Sequence, residues 1–226
     1  MIKFYFHETP NPLKVALFLE DAGLPYEVVP VDLLKGDQHK PDYRAINPNG
    51  KVPAIVDKGV AVFDSAAILI YLADKTNLFY GAPADRHVVL SWLMFISTGL
   101  GPFSGQSFHF SQVHTESPYA TNRYRREAER HYDVLEERLR DNPYLAGQDY
   151  TIADMAAWGW VTRIGTAVPG DTPLDRWPNV KRWFGTVNSR PAAVRALEIA
   201  RTIPFKAAFD EETFKALFPQ NFPKTA

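Results

Sequence analysis

The stretch FHETPNPLKVALFLED, residues 6–21, decides the fold. Just before and into it, Ile2, Phe4 and Phe6 alternate with Lys3 and Tyr5, the period of a half-buried strand. A short polar loop carrying Thr9 and Asn11 follows, and Val15, Phe18 and Leu19 then recur on one helical face. A strand end running into a helix start gathers free backbone N–H groups and small polar side chains, a place where anionic groups and reacting atoms are held.

Outward from this unit, the chain to about residue 76 predicts strand 2–6, helix 12–23, strand 26–31, a short helix near 38–45, strands 53–56 and 60–63, and helix 65–76. A βαβ order followed by ββα implies a small mixed sheet with helices packed on it. NPNG at 47–50 is a turn sequence, and Pro53 stands where a strand starts and its missing N–H is tolerated. After Asp85 the pattern is helical throughout. Trp92, Leu93 and Ile96 share one face, and Tyr124, Ala128, His131, Leu135 and Leu139 run along the next long segment. GLGPFSG at 99–105 is expected to bend or break the chain between them. TIAD at 151–154 reads as a capping box, which is folding information and not chemistry. Phenylalanines at 205, 209, 214, 218 and 222 suggest core or cover, with part available to line an apolar pocket.

Composition removes several classes of function. The 226 residues are 46% apolar and 13% aromatic, enough for one large or two small cores in a soluble globular protein. The net charge of −1 gives no footprint for nucleic acid or an anionic membrane, and RYRREAER at 123–130 interleaves both signs as a solvated helix face does. No N-terminal export pattern and no apolar run of bilayer length stand out, which makes the cytoplasm the default. Cysteine is absent, so any thiol chemistry must arrive with a ligand. His109 and His114 are off the spacing of a helical zinc site, and no metal is expected; His7 is kept as a group supporting the opening loop.

These residues carry a resemblance. TPNPLKV at 9–15, INPNGKVP at 46–53, Asp64-Ser65 opening a helix, YLAG at 144–147 and TIAD at 151–154 are together similar to the cytosolic glutathione transferases over nearly the whole chain. Thr9-Pro-Asn11, Leu100-Gly-Pro102 with Gly105-Gln106, and Pro118-Tyr-Ala with Arg123-Tyr124 most resemble the bacterial nu-class branch of disulfide-bond reductases. The resemblance implies an α/β thioredoxin-like N-terminal domain over 1–77, a linker over 78–85 and an all-α C-terminal helical domain over 86–226. It also implies glutathione as co-substrate, a homodimer, and a small disulfide or electrophile as second substrate.

It further implies roles for particular residues. Val52, before a proline that is cis in the family, would pair its backbone N–H and C=O with the cysteinyl part of glutathione as an added strand does. Asp64 and Ser65 would hold the γ-glutamyl end, the helix-opening amides and serine hydroxyl serving its carboxylate and the aspartate its ammonium. Gln38 and Lys51 would reach the glycyl end and neighbouring backbone. Arg123 would approach a ligand carboxylate from the helical domain, from its own subunit or across the dimer.

Thr9 and Asn11 would then face the sulfur. A free thiol titrates at about 8.5, and each unit of depression takes about 1.4 kcal/mol of preferential thiolate stabilisation. One or two hydrogen bonds to charge supply that order of energy. Tyr5 is a rival donor, since other branches use a tyrosine on the first strand, and alternation sets Tyr5 and His7 opposite Phe4 and Phe6. The activity this implies is glutathione-dependent disulfide reduction, with conjugation to electrophiles or peroxide reduction as alternatives. A non-catalytic module binding glutathione, an apolar ligand or a protein is the alternative of another class.

Overall fold

Strand β1 (Ile2–Phe6) turns Ile2, Phe4 and Phe6 into the core and leaves Lys3 in solvent, as its two-residue period requires. A computed structural model describes residues 1–113 and 116–222; His114 lies outside the described residues. Helix α1 (Pro10–Asp21) follows with a proline in its first turn, where the missing N–H is one the helix leaves unbonded anyway. Strand β2 (Tyr26–Pro30) pairs parallel to β1, and helix α2 (Pro41–Ile46) leads to β3 (Ala54–Asp57) and β4 (Val60–Phe63). β3 runs antiparallel to both β1 and β4, with Phe4 opposite Val28 on one side and Ile55 on the other. The sheet order β2-β1-β3-β4 and helix α3 (Ser65–Thr76) complete the thioredoxin-like half that the sequence predicts.

The remainder is helical: α4 (Arg86–Phe95), α5 (Gly101–Phe108), α6 (Pro118–Arg140), α7 (Ile152–Val161), α8 (Ile164–Ala167), α9 (Pro178–Asn188), α10 (Pro191–Arg201) and α11 (Glu211–Leu217). The expected break at residues 99–105 does not occur. The backbone winds through a π-turn at Ile96–Leu100 straight into α5, and a second π-turn follows at His109–Val113. The wider turn lets Pro102, with no N–H to give and a ring that would strike the carbonyl four residues back, stay within one helical run. That run, Pro83–Val113, is long and apolar enough to cross a bilayer by length and composition, which corrects the expectation that no segment approaches that length. Its Val89, Leu93, Ile96 and Leu100 are fully buried in the core shared with the other helices.

The choice between one core and two resolves toward one. Phe4 and Phe6 of β1, the apolar side chains of α1 and α3, and those of α4 and of α6 through α10 form a single continuous cluster. A small second cluster, Val31, Tyr43, Val52 and Ala54, lies apart from it, with Tyr5 packed against it. Helix α1 is therefore buried along Pro12–Leu19, against α3, α7 and α10 and in the cluster that also holds Phe4 and Phe6 of β1. Helix α7 approaches it so closely that a Cβ on Gly159 would stand 2.7 Å from Lys14 Cγ and against the Pro10 carbonyl.

The capping box at α7 is present in both directions, and Asp154 does more than cap. Its carboxylate also accepts from Leu145 N at 2.9 Å and Trp183 Nε1 at 2.8 Å, tying α7 to the preceding loop and to α9. The phenylalanine repeat of the tail does not act as one face. Phe205 covers His7 with ring centroids 4.3 Å apart, Phe209 pairs with Phe214, and Phe218 meets His109.

Candidate functional site

The loop after β1 delivers Thr9 as the N-cap of α1, in extended backbone (φ −136°, ψ 163°), yet its hydroxyl makes no capping hydrogen bond. A threonine at this position ordinarily gives its oxygen to the second or third helical amide. Here the half-buried hydroxyl is left for another partner. Asn11 follows in the first turn and accepts from Ser65 Oγ at 3.5 Å, which brings the start of α1 and the start of α3 together.

Asp64 opens α3 with a positive φ of 71° and ψ of 127°, a backbone region that residues other than glycine seldom occupy. Its Oδ1 accepts from the amides of Ala66 (2.9 Å) and Ala67 (3.2 Å). The expectation that the helix-opening amides meet a ligand carboxylate is thus divided: two of them already belong to Asp64. Ser65, 8% exposed, has its hydroxyl engaged between Lys14 and Asn11, while among the described residues its own N–H has no hydrogen-bond partner.

Behind Ser65 stands a residue to which sequence reasoning assigned no role. Lys14 is 1% exposed, with Nζ 3.4 Å from Ser65 Oγ and 5.7 Å from the centre of the Trp160 ring. Burial drives its pKa down to about 7, and the nearby charge of Asp64 offsets only part of that. A signal was available. Residues 12–19 of α1 are apolar all round apart from Lys14, and a helix of that kind is buried on every face.

Val52 precedes Pro53 through a cis peptide bond. The carbonyl just before it, on Lys51, is occupied by Tyr43 Oη (2.5 Å) and Asn47 Nδ2 (2.6 Å), while the Lys51 side chain is exposed. Among the described residues the N–H and C=O of Val52 have no hydrogen-bond partner, which leaves one residue's worth of strand edge open. Gln38 is buried at 4% exposure, and its Nε2 donates to Ala216 O at 3.0 Å, so the C-terminal α11 rests on it; its Oε1 has no partner.

Two residues lie elsewhere. Arg123 is exposed on α6 and pairs with Glu127 at 3.5 Å, with no hydrogen bond or ion pair to the starts of α1 or α3 among the described residues. Tyr5 lies over Tyr43, ring centroids 5.6 Å apart, and lines a cavity of about 210 Å³ with Val31, Asp37 and Lys40 on the α2 side of the sheet. His7 is a structural tie: Nδ1 meets Val31 O at 3.0 Å, Phe205 covers the ring, and burial holds its pKa below the ordinary value. Among the described residues no group of three His, Asp or Glu side chains is placed to hold a metal ion.

An uncommitted N-cap hydroxyl, an open strand edge and a free amide at a second helix start are groups that an extended peptide bearing a thiol can use. Residues 9–75 match the family described as Glutathione S-transferase, N-terminal domain, and residues 118–186 match Glutathione S-transferase, C-terminal domain. The chain belongs to the glutathione S-transferase family. Within the family it is 44% identical over 211 residues to the disulfide-bond oxidoreductase YfcG of Escherichia coli, covering 87% of this chain and 94% of that one. It is 35% identical to YghU of the same organism, also named a disulfide-bond oxidoreductase, over 89% of this chain and 75% of that one. Among solved structures, a glutathione transferase from Burkholderia graminis with two glutathione molecules bound per subunit superposes with a TM-score of 0.80 at 38% identity, covering 87% of each chain. One from Pseudomonas putida with one glutathione disulfide bound per subunit gives 0.83 at 32% identity, over 88% of this chain and 91% of that one.

Proposed function

We propose that this protein is a glutathione-dependent disulfide-bond reductase of the nu-class branch, acting as a cytoplasmic homodimer. The observation that carries the proposal is the pair Thr9 and Asn11 at the start of α1, a hydroxyl free of capping duty and an amide, in a chain with no cysteine of its own. Relatives named for the same activity support it.

Glutathione lies extended along Val52, its cysteinyl N–H and C=O paired with that residue's backbone. Ser65 takes the γ-glutamyl carboxylate through its backbone N–H at the start of α3, and the exposed carboxylate of Asp64 faces the ammonium. Gln38 Oε1, an acceptor without a partner, receives an N–H near the glycyl end, and Lys51 supplies a cation to the glycyl carboxylate. Arg123, exposed on α6 and paired there only with Glu127 among the described residues, serves a ligand carboxylate across the dimer. The Thr9 hydroxyl and the Asn11 amide donate to the sulfur, and the start of α1 adds the favourable end of its dipole.

The thiolate attacks one sulfur of the substrate disulfide, forming a mixed disulfide and expelling one thiolate. A second glutathione thiolate then attacks the glutathione sulfur of that mixed disulfide, releasing the other substrate thiol and glutathione disulfide. Two thiols are oxidised and one disulfide is reduced, so electrons balance without a protein cysteine.

The test is steady-state reduction of a small linear disulfide with glutathione as the only thiol, corrected for the uncatalysed exchange. Saturable turnover is expected. Glutathione binding without turnover on disulfides, electrophiles or peroxides would turn the reading to a silent binding module.

A further inference from the structure

Lys14 is a charge enclosed by protein with no carboxylate in ion-pair contact among the described residues. The groups packed around it are few. From the start of α3 come Asp64, which acts through space, and Ser65; from α7 come Gly159 and Trp160, neither of which titrates. Helix α10 sets Arg190 and Arg195 against Asp21 and Glu20, at the other end of α1. Burying an ammonium under these conditions is expensive, and a methionine of similar length would fill the same space.

What an ammonium supplies that a methionine cannot is direction. It donates hydrogen bonds and accepts none. Ser65 Oγ, 3.4 Å away, must therefore accept from Lys14, and its single proton goes on to Asn11 Oδ1 at 3.5 Å. The carbonyl end of the Asn11 amide is thereby committed, and the orientation of an asparagine amide is set by such a network and by nothing in its own shape. Among the described residues Asn11 Nδ2 has no partner, so the chain ends in an open N–H donor.

We infer that Lys14 is a positioning residue for the thiolate: its ammonium sets the direction of the chain Lys14 to Ser65 to Asn11 and presents the Asn11 amide N–H, not its carbonyl, to the sulfur of bound glutathione. The inference rests on the function proposed above. It carries a second consequence. In the ligand-free cleft the buried Lys14 titrates at about 7, and a γ-glutamyl carboxylate arriving at Ser65 brings the negative charge the free site lacks. Glutathione binding then draws a proton onto Lys14, so the donor chain is locked when the substrate is in place.

The experiment compares native protein, Lys14→Met, Asn11→Ala and the double variant by the pH dependence of ultraviolet thiolate absorbance of bound glutathione, and by turnover. Lys14→Met is expected to raise the bound thiol's pKa by about one unit, about tenfold less thiolate at pH values below it, with a smaller change in glutathione KM. In the Asn11→Ala background the same substitution is expected to change turnover less than about twofold, because its route of action is already gone. Full additivity, or an unchanged thiol pKa in folded Lys14→Met, overturns the inference while leaving the proposed function standing.

Should Lys14→Met not fold, the native protein decides. S-methylglutathione, which has no ionisable thiol, is titrated calorimetrically near pH 7 in two buffers of different ionisation heat, with uptake of about half a proton expected. Binding with no proton uptake overturns the inference. A native protein that binds neither glutathione nor S-methylglutathione refutes the proposed function, and the inference with it.

Discussion

Thr9→Ala separates the two things an N-cap threonine can do. Replacing such a residue by alanine ordinarily costs about 1 kcal/mol of stability, because a capping hydrogen bond is lost. The Thr9 hydroxyl makes no such bond, so the variant should lose under about 0.5 kcal/mol, a melting shift below about 2 °C for a chain of this size. Its work is expected on the ligand. A hydrogen bond to a charged group contributes about 1.5–3 kcal/mol, and at about 1.4 kcal/mol per unit its loss raises the bound thiol's pKa by about one to two units.

Turnover should fall less than the thiolate fraction does, since a more basic thiolate is also more nucleophilic, with a Brønsted slope of about 0.4–0.5. The net loss is then about three- to fifteenfold at a pH below the native thiol pKa, reversing to a gain of about two- to tenfold at a pH above the variant's, where both thiols are ionised. The assay is disulfide reduction across pH beside a thermal melt. A uniform fall at every pH, or a drop of several degrees in melting with the pH profile unmoved, would refute the assignment of Thr9 to the sulfur.

Gly159→Ala should drive a methyl group into the Pro10 carbonyl and Lys14, costing about 1–3 kcal/mol in a urea melt and lowering turnover by displacing the turn that carries Asn11. Gln38→Ala removes both an acceptor for glutathione and the support of α11; we expect glutathione KM to rise about five- to tenfold and limited proteolysis of the C-terminal segment to quicken, since the Ala216 carbonyl loses a donor. Ligand-free stability should depend on pH through Lys14: its folded pKa of about 7 lies below the ordinary 10.5, so the unfolded chain holds more protons between those values and stability rises with pH across that window. Lys14→Met should abolish that rise and be more stable than the native protein near pH 7, by on the order of 4 kcal/mol for so buried a group, in denaturant titrations at a series of pH values.

Much of this protein is written locally. The alternation of Ile2, Phe4 and Phe6, the periodicity of α1 and α6, the caps at Asp64 and Thr151 and the turn at 47–50 each depend on neighbours within a few residues, which is why strands and helices could be named before any contact was known. The absence of cysteine is likewise a property of the string alone, and it dictates that thiol chemistry must come from a ligand.

What needed the tertiary structure were the places where distant segments compete for one group. GLGPFSG carries breaking residues, but packing against the other helices holds one continuous helix and a π-turn absorbs Pro102. Lys14 sits on a helix whose enclosure is decided by β1, α3, α7 and α10 together, so its burial, its low pKa and its hold on Ser65 exist only after those elements close around it. Gln38 meets a carbonyl 178 residues away, and two amides at the start of α3 are taken by Asp64 before any ligand arrives. Residue type states which hydrogen bonds a side chain can make; only the packed chain determines which of them are still open, because every donor or acceptor satisfied internally is withdrawn from the ligand.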